Sequence, residues 1–232
     1  VTVGALLPAA GQGERLGAGV PKALRPVRGE PLLVHAVRGL LACTSVSVVV
    51  VAAPEEALAA MREVLAERLP DAPVLVVTGG ATRQDSVAAA LDALPTQVDV
   101  VLVHDAARAF APVDLVERVL GAVTDGVAAV VPGLAVHDTV RYVGGDGTPE
   151  ETLDRDRLRV VQTPQGFVRL WLEAAHNQAA TDGRTATDDA ALVEAIGGRV
   201  VVVAGSEEAF KVTRPLDLLL AEALLERRAA SR

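Results

Sequence analysis

Val3-Gly4-Ala5-Leu6-Leu7-Pro8-Ala9-Ala10-Gly11-Gln12-Gly13-Glu14-Arg15-Leu16-Gly17, followed at a short distance by Pro21-Lys22, is the stretch that decides the fold. Val3–Leu7 is apolar without alternation, the pattern of a strand covered on both faces. The run of small residues after it lets backbone N–H groups come close to a ligand and point at phosphates. A dinucleotide fingerprint needs a third glycine where Leu16 stands. A Walker loop is excluded too, because Lys22 is preceded by Pro21 and followed by Ala23. What remains is a Gly-rich turn behind a first strand, carrying two cations, Arg15 and Lys22. Taken alone, it is either a phosphate cradle or an ordinary turn.

Outward from this turn the chain alternates buried-strand runs with helical runs, which specifies a wound α/β sheet. Strands are expected at Val3–Leu7, Ser47–Ala52, Val74–Val77, Val98–Val103, Ala128–Val131 and Val200–Val203. Helical patterns lie at Pro31–Leu41, Glu55–Leu69, Thr82–Leu94, Pro112–Val123, Phe167–Ala179, Thr187–Ile196 and Pro215–Arg228. Thr82 and Asp85 read as a capping box. The alternation breaks between Val136 and Arg159, where short β-like runs flank Gly144-Gly145-Asp146-Gly147. That cluster signals a turn, so the segment reads as a hairpin arm: a lid, a dimer hook or an excursion without a role. No linker or internal repeat divides the 232 residues, and a single domain is expected.

Half of the residues are hydrophobic but only 2% are aromatic, so the core must be made of Val, Leu and Ala. A net charge of −8 argues against a nucleic-acid binder. Cys43 is the sole cysteine; it cannot form an internal disulfide and reads as a small buried residue. No apolar run approaches the roughly 20 residues of a membrane span, and the N-terminus lacks the layout of a signal peptide. A soluble, cytoplasmic protein is expected. Of the 22 basic residues only Lys22 and Lys211 are lysines. Either an arginine-rich composition left them by chance, or each of their sites needs a compact ammonium.

Two further segments carry chemistry. The fourth strand runs into His104-Asp105-Ala106-Ala107-Arg108, where an open α/β sheet places its ligand crevice. Asp105 there can bind a cation or substrate and Arg108 a phosphate, or the pair can be a plain turn. Gly79-Gly80-Ala81-Thr82-Arg83-Gln84-Asp85-Ser86 enters a helix N-terminus, a place suited to anions as well as an ordinary helix start. The histidines, His35, His104, His137 and His176, show no metal-ligand spacing.

Together these segments resemble the 2-C-methyl-D-erythritol 4-phosphate cytidylyltransferase family of the non-mevalonate isoprenoid pathway. The resemblance rests on Pro8-Ala9-Ala10-Gly11, Gly13, Arg15, Pro21-Lys22, Gly79-Gly80, Arg83, Asp85-Ser86-Val87 and Val103-His104-Asp105-Ala106-Ala107-Arg108. It continues through Asp138-Thr139, Asp154-Arg155, Gln162-Thr163-Pro164-Gln165, Thr187-Asp188-Asp189-Ala190 and Lys211-Val212-Thr213. The chain departs from the family at Ala109, where proline is usual, and at Ala23-Leu24 in place of Gln-Tyr; both bear on loop shape alone.

The resemblance implies a Rossmann-like three-layer α/β/α nucleotidyltransferase fold with a mostly parallel sheet, one domain over residues 1–232. Residues 136–159 would be an inserted β-hairpin arm that joins a homodimer. It implies CTP binding by Pro8, Ala9, Ala10, Gly11, Gly13, Gly80, Arg83, Ser86 and Asp105. Asp105, Arg108, Thr139, Arg155, Thr163, Thr187 and Lys211 would face methylerythritol phosphate, with Arg155 reaching from a partner's arm. Arg15, Lys22, Arg155 and Lys211 would be the catalytic cations. Mg2+ or another divalent cation is the implied cofactor, with Asp105 as candidate ligand and the triphosphate supplying most of the coordination. The reaction implied is in-line attack of the acceptor's phosphate oxygen on the α-phosphorus of CTP, expelling pyrophosphate. Its partners are therefore two small anions, with neither nucleic acid nor membrane. The rival classes are a cytidylyltransferase for ribitol 5-phosphate, a nicotinamide dehydrogenase, which Leu16 opposes, and a non-catalytic nucleotide sensor.

Overall fold

Strand β1 (Val3–Pro8) is sealed on both faces, with Ala5, Leu6 and Leu7 fully buried. The computed structural model describes residues 1–10 and 21–230. A small antiparallel pair, β2 (Pro26–Val27) and β3 (Glu30–Pro31), leads into helix α1 (Leu32–Leu41). Then follow β4 (Val46–Ala53), α2 (Leu58–Arg68), β5 (Val74–Thr78), α3 (Arg83–Asp92), β6 (Val100–Val103), α4 (Val113–Ala122) and β7 (Ala129–Ala135). A hairpin of β8 (Arg141–Val143) and β9 (Pro149–Thr152) comes next. The chain closes with β10 (Arg159–Val161), β11 (Gln165–Val168), α5 (Arg169–Asp182), α6 (Asp189–Ala195), β12 (Val200–Ala204) and α7 (Pro215–Ala230).

In the main sheet β1 lies between β6 and β4, and β4 pairs with β5; all three pairings are parallel. β11 runs antiparallel to both β6 and β7, so those two strands point the same way. β12 pairs parallel with β7, and β10 pairs antiparallel with it. The chain therefore winds from β1 outward to β5, then returns across β1 to β6. That reversal opens a crevice at the carboxyl ends of the strands.

Side-chain alternation splits the core into two layers. Ala5, Leu7, Val49, Val51 and Leu102 face one cluster, shared with α1, α2, α4 and α7. Leu6, Val50, Val101 and Val103 face the other, shared with α3, α5 and α6. The result is the expected three-layer α/β/α arrangement. Cys43 is 2% exposed within the first cluster, a packed residue as read. Among the described residues no helix is long and apolar enough to cross a membrane.

The sequence-based elements hold with shifts of a few residues at their ends, and one reading is corrected. Phe167 does not begin a helix; it lies in β11, opposite Val101, and the helix starts at Arg169. Gln165-Gly166-Phe167-Val168 is too short to display a period of two. Its glycine is dictated by packing, since a Cβ on Gly166 would press on Val119. The hairpin expected within 136–159 is present as β8 and β9, with Gly147 at φ +84° in its turn.

Candidate active site

The crevice is a cavity of about 290 Å³ walled by segments that follow β1, β5 and β6, of which β1 and β6 are neighbours and β5 lies beyond β4. Pro8, Ala9 and Ala10 follow from β1, Gly80, Arg83 and Ser86 from the β5–α3 turn, and Asp105, Ala106 and Ala107 from β6. Lys22 and Lys211 close it, with Thr213 beside the latter. Most of the sequence-predicted nucleotide residues are thus brought together. Gly11, Gly13 and Arg15 lie outside the described residues.

The β5–α3 turn is built by its helix cap. Thr82 Oγ1 accepts from the Asp85 N–H at 3.1 Å, and Asp85 Oδ2 accepts from the Thr82 N–H at 3.1 Å, completing the capping box. Ser86 Oγ donates to the Thr82 carbonyl at 2.8 Å and accepts from the Gly80 N–H at 3.2 Å. The turn folds so closely on α3 that a Cβ at Gly80 would overlap Asp85 Cβ. Arg83, the first residue of α3, is thereby aimed across the crevice toward Asp105.

Asp105 is held from behind by a relay through a buried histidine. Its N–H donates to Thr163 Oγ1 at 3.0 Å, and Thr163 Oγ1 lies 3.0 Å from His104 Nδ1. His104 Nε2 lies 3.2 Å from the Arg108 carbonyl, which can only accept. The proton is therefore assigned to Nε2, leaving Nδ1 to accept from the Thr163 hydroxyl. Burial, more than any other cause, pushes the His104 pKa down to about 4, so the relay is built on a neutral imidazole.

Asp105 is also the electrostatic centre. Its Oδ1 accepts from Arg83 Nε at 3.0 Å and its Oδ2 meets Lys211 Nζ at 2.6 Å. Burial alone would raise its pKa, but the attraction of Arg83 and Lys211 outweighs burial and holds the carboxyl well below the usual range. Arg83 reaches further, with Nη1 donating to Asp189 Oδ2 at 2.7 Å; Asp189 Oδ1 lies 2.9 Å from His176 Nε2. A continuous chain of charged and polar groups thus runs from Lys211 at the cavity to His176 under the surface.

Lys211 is delivered by the segment after β12. The Val212 N–H donates to the Ala107 carbonyl at 2.8 Å, fixing that segment beside the β6 loop. Gln162 grips Ser206 at both main-chain groups, accepting from its N–H at 2.9 Å and donating to its carbonyl at 2.8 Å. Arg108 ties the same parts together through the Ala209 carbonyl at 2.8 Å and the Val161 carbonyl at 3.3 Å. Arg108 and Thr163 therefore stand behind the cavity wall. Thr139, Arg155 and Thr187 are exposed and outside it. Arg155 sits on the arm side, donating to the His137 carbonyl at 2.6 Å. Asp189 and His176 are not assigned by the sequence reading; Asp189 stands within the Thr187-Asp188-Asp189-Ala190 motif, whereas no sequence signal marks His176.

Among the described residues there is no group of three or more His, Cys, Asp or Glu that could hold a metal ion. Among those same residues Asp105 is the one carboxylate lining the cavity, which suits Mg2+ carried largely by phosphate oxygens and water.

The family model for 2-C-methyl-D-erythritol 4-phosphate cytidylyltransferase matches residues 3–227. The chain is 55% identical to the Streptomyces avermitilis protein of that name, covering 97% of this chain and 92% of the relative. Identity to the Saccharopolyspora erythraea protein of the same name is 52%, covering 97% and 100%. The crystal structure of the Thermus thermophilus cytidylyltransferase superposes with a TM-score of 0.79 at 40% identity, covering 97% and 98%. That of the 4-diphosphocytidyl-2C-methyl-D-erythritol synthase of Anaerococcus prevotii gives 0.83 at 26% identity, with the same coverage.

Proposed function

Since the chain belongs to the 2-C-methyl-D-erythritol 4-phosphate cytidylyltransferase family, we infer that it transfers CMP from CTP to 2-C-methyl-D-erythritol 4-phosphate. The products are 4-diphosphocytidyl-2-C-methyl-D-erythritol and pyrophosphate. The observation that carries this reading is the cavity lined by Lys22, Arg83 and Lys211, the last two paired with Asp105, its one carboxylate among the described residues. Two polyanions must be brought together there, and fixed cations in a partly dry site oppose their repulsion more strongly than cations in water.

Pro8, Ala9, Ala10, Gly80, Arg83 and Ser86 bind the nucleotide, with Gly11 and Gly13 completing the cradle. Arg15 and Lys22 stabilise the charge that builds up at the α-phosphate. Lys211 receives the acceptor's phosphate and orients its attacking oxygen, while Asp105 keeps the lysine aimed. That oxygen is already ionised near neutral pH, so no general base and no covalent enzyme intermediate are required. Asp105 is the residue that would hold Mg2+ or another divalent cation beside the triphosphate; such a cation supplies charge neutralisation during transfer.

Arg108 and Thr163 support the acceptor half from behind, and Thr139 and Thr187 border it. Arg155, on the arm side, serves a second copy of the chain in a homodimer joined through the 136–159 arm. A cytoplasmic enzyme acting on small molecules, with no nucleic acid or membrane among its partners, accords with the net charge of −8.

The test is pyrophosphate release by purified protein with CTP set against ATP, GTP and UTP, and with methylerythritol phosphate set against ribitol 5-phosphate. Turnover confined to CTP and methylerythritol phosphate is expected. Preference for ribitol 5-phosphate, or no turnover with any pair, would refute the reading.

A further inference from the structure

Asp189 is a carboxylate with its side chain 1% exposed, and nothing in the reaction above uses it. Its place at the start of α6 does not explain it, because the neighbouring Asp188 caps that helix. Asp188 Oδ1 accepts from the Ala191 N–H at 3.0 Å and its Oδ2 accepts from Gln165 at 2.8 Å. Stability does not explain it either, since a buried ion pair can often be replaced by packed apolar groups at no loss. What Asp189 does is divide its oxygens. Oδ2 takes Arg83 Nη1 at 2.7 Å, and Oδ1 meets His176 Nε2, on α5, at 2.9 Å.

Arg83 is therefore gripped at two points of its planar fork, at Nε by the cavity carboxylate Asp105 and at Nη1 by the core carboxylate Asp189. The second grip matters because the first is shared. Asp105 also holds Lys211, and an arriving triphosphate competes for every cation in the cavity. With Asp189 in place, Arg83 has a fixed partner outside that competition. Without it, the guanidinium would swing between Asp105 and the phosphates.

Resting on the functional reading above, we propose that Asp189 and His176 are positioning residues that hold Arg83 against the nucleotide. His176 restrains the Asp189 carboxylate, Asp189 restrains the guanidinium, and the guanidinium meets CTP in a prepared orientation.

The experiment uses the full chain and measures CTP affinity by calorimetry without acceptor, steady-state constants for both substrates, and melting temperature. Asp189→Asn should raise the CTP Kd about tenfold or more, the scale of a small misplacement of a binding group. The KM for methylerythritol phosphate should stay within about twofold. His176→Leu should weaken CTP binding in the same direction. His176→Gln retains an N–H donor toward Asp189 and should recover most of the loss. Wild-type CTP affinity in folded Asp189→Asn would overturn the proposal, as would equal weakening of both substrates or no difference between the Leu and Gln variants. If Asp189→Asn does not fold, the two His176 variants decide the matter alone. A wild-type chain that neither binds CTP nor releases pyrophosphate would count against the functional reading itself. Normal wild-type activity with unaffected variants would count against the positioning role only.

Discussion

Lys211 Nζ lies 2.6 Å from Asp105 Oδ2, although Asp105 follows β6 and Lys211 follows β12. This contact gives one of the two lysines in an arginine-rich chain a defined site. An ammonium is a compact charge that can turn from a carboxylate to a phosphate by rotating its stem, whereas a guanidinium demands a planar partner. Lys211→Arg should therefore lower kcat by about tenfold or more, toward the loss seen when a charge-stabilising donor is displaced. Steady-state pyrophosphate release checks it, and wild-type kcat would mean that any cation suffices.

Lys22 lines the same cavity. Lys22→Ala should reduce turnover by about 10²-fold, as for other lost donors to a developing oxyanion. Arg15→Ala should behave alike. Circular dichroism of the variants separates loss of fold from loss of chemistry, and near-normal turnover in folded protein would remove the assignment.

Much of this site is legible in the sequence because its parts are local. The capping box needs only Thr82 and Asp85, and the phosphate turn only small residues behind a strand. The contacts between distant segments are not legible. Nothing in the spacing of Arg83, Asp105, Asp189 and His176 says that they meet, because their meeting depends on α3, α5 and α6 packing on one face of the sheet. The strand β11 escapes for a related reason. Four residues with a glycine carry no period, and their strand character comes from the pairing with β6. Family resemblance supplied the functional roles, while the division of Asp189 between Arg83 and His176 came only from the folded chain.

Gly80 tests the close approach at the nucleotide turn. A methyl group there would overlap Asp85 Cβ, so Gly80→Ala must displace either the turn or the capping box. A cost of about 1–3 kcal/mol is expected, the range for forcing atoms into a packed place. Because the displaced groups include the Ser86 and Arg83 neighbourhood, CTP affinity should fall as well. Chemical denaturation and calorimetry measure the two effects; a variant unchanged in both would show that the turn adapts freely.

His104 makes stability depend on pH with a definite sign. Its pKa is lowered from 6.5 to about 4, burial being the main cause. Below pH 6.5 the unfolded chain takes up a proton on this residue that the folded chain refuses until about pH 4. The folded state thus keeps its full advantage above pH 6.5, loses it progressively down to about pH 4, and loses no more from this group below that. The depression corresponds to roughly 3 kcal/mol over the window. Asp105 and Asp189, both held below the usual carboxylate range, lose their contributions only at lower pH, so the two effects separate. His104→Gln does not titrate, and although it disturbs the Thr163 relay at every pH, it should flatten the slope of unfolding free energy between pH 6.5 and 4. Urea denaturation at half-unit steps of pH measures that slope. Equal slopes in the two proteins would mean that His104 is already protonated in the fold, and that the hydrogen-bond directions assigned around Thr163 must be reversed.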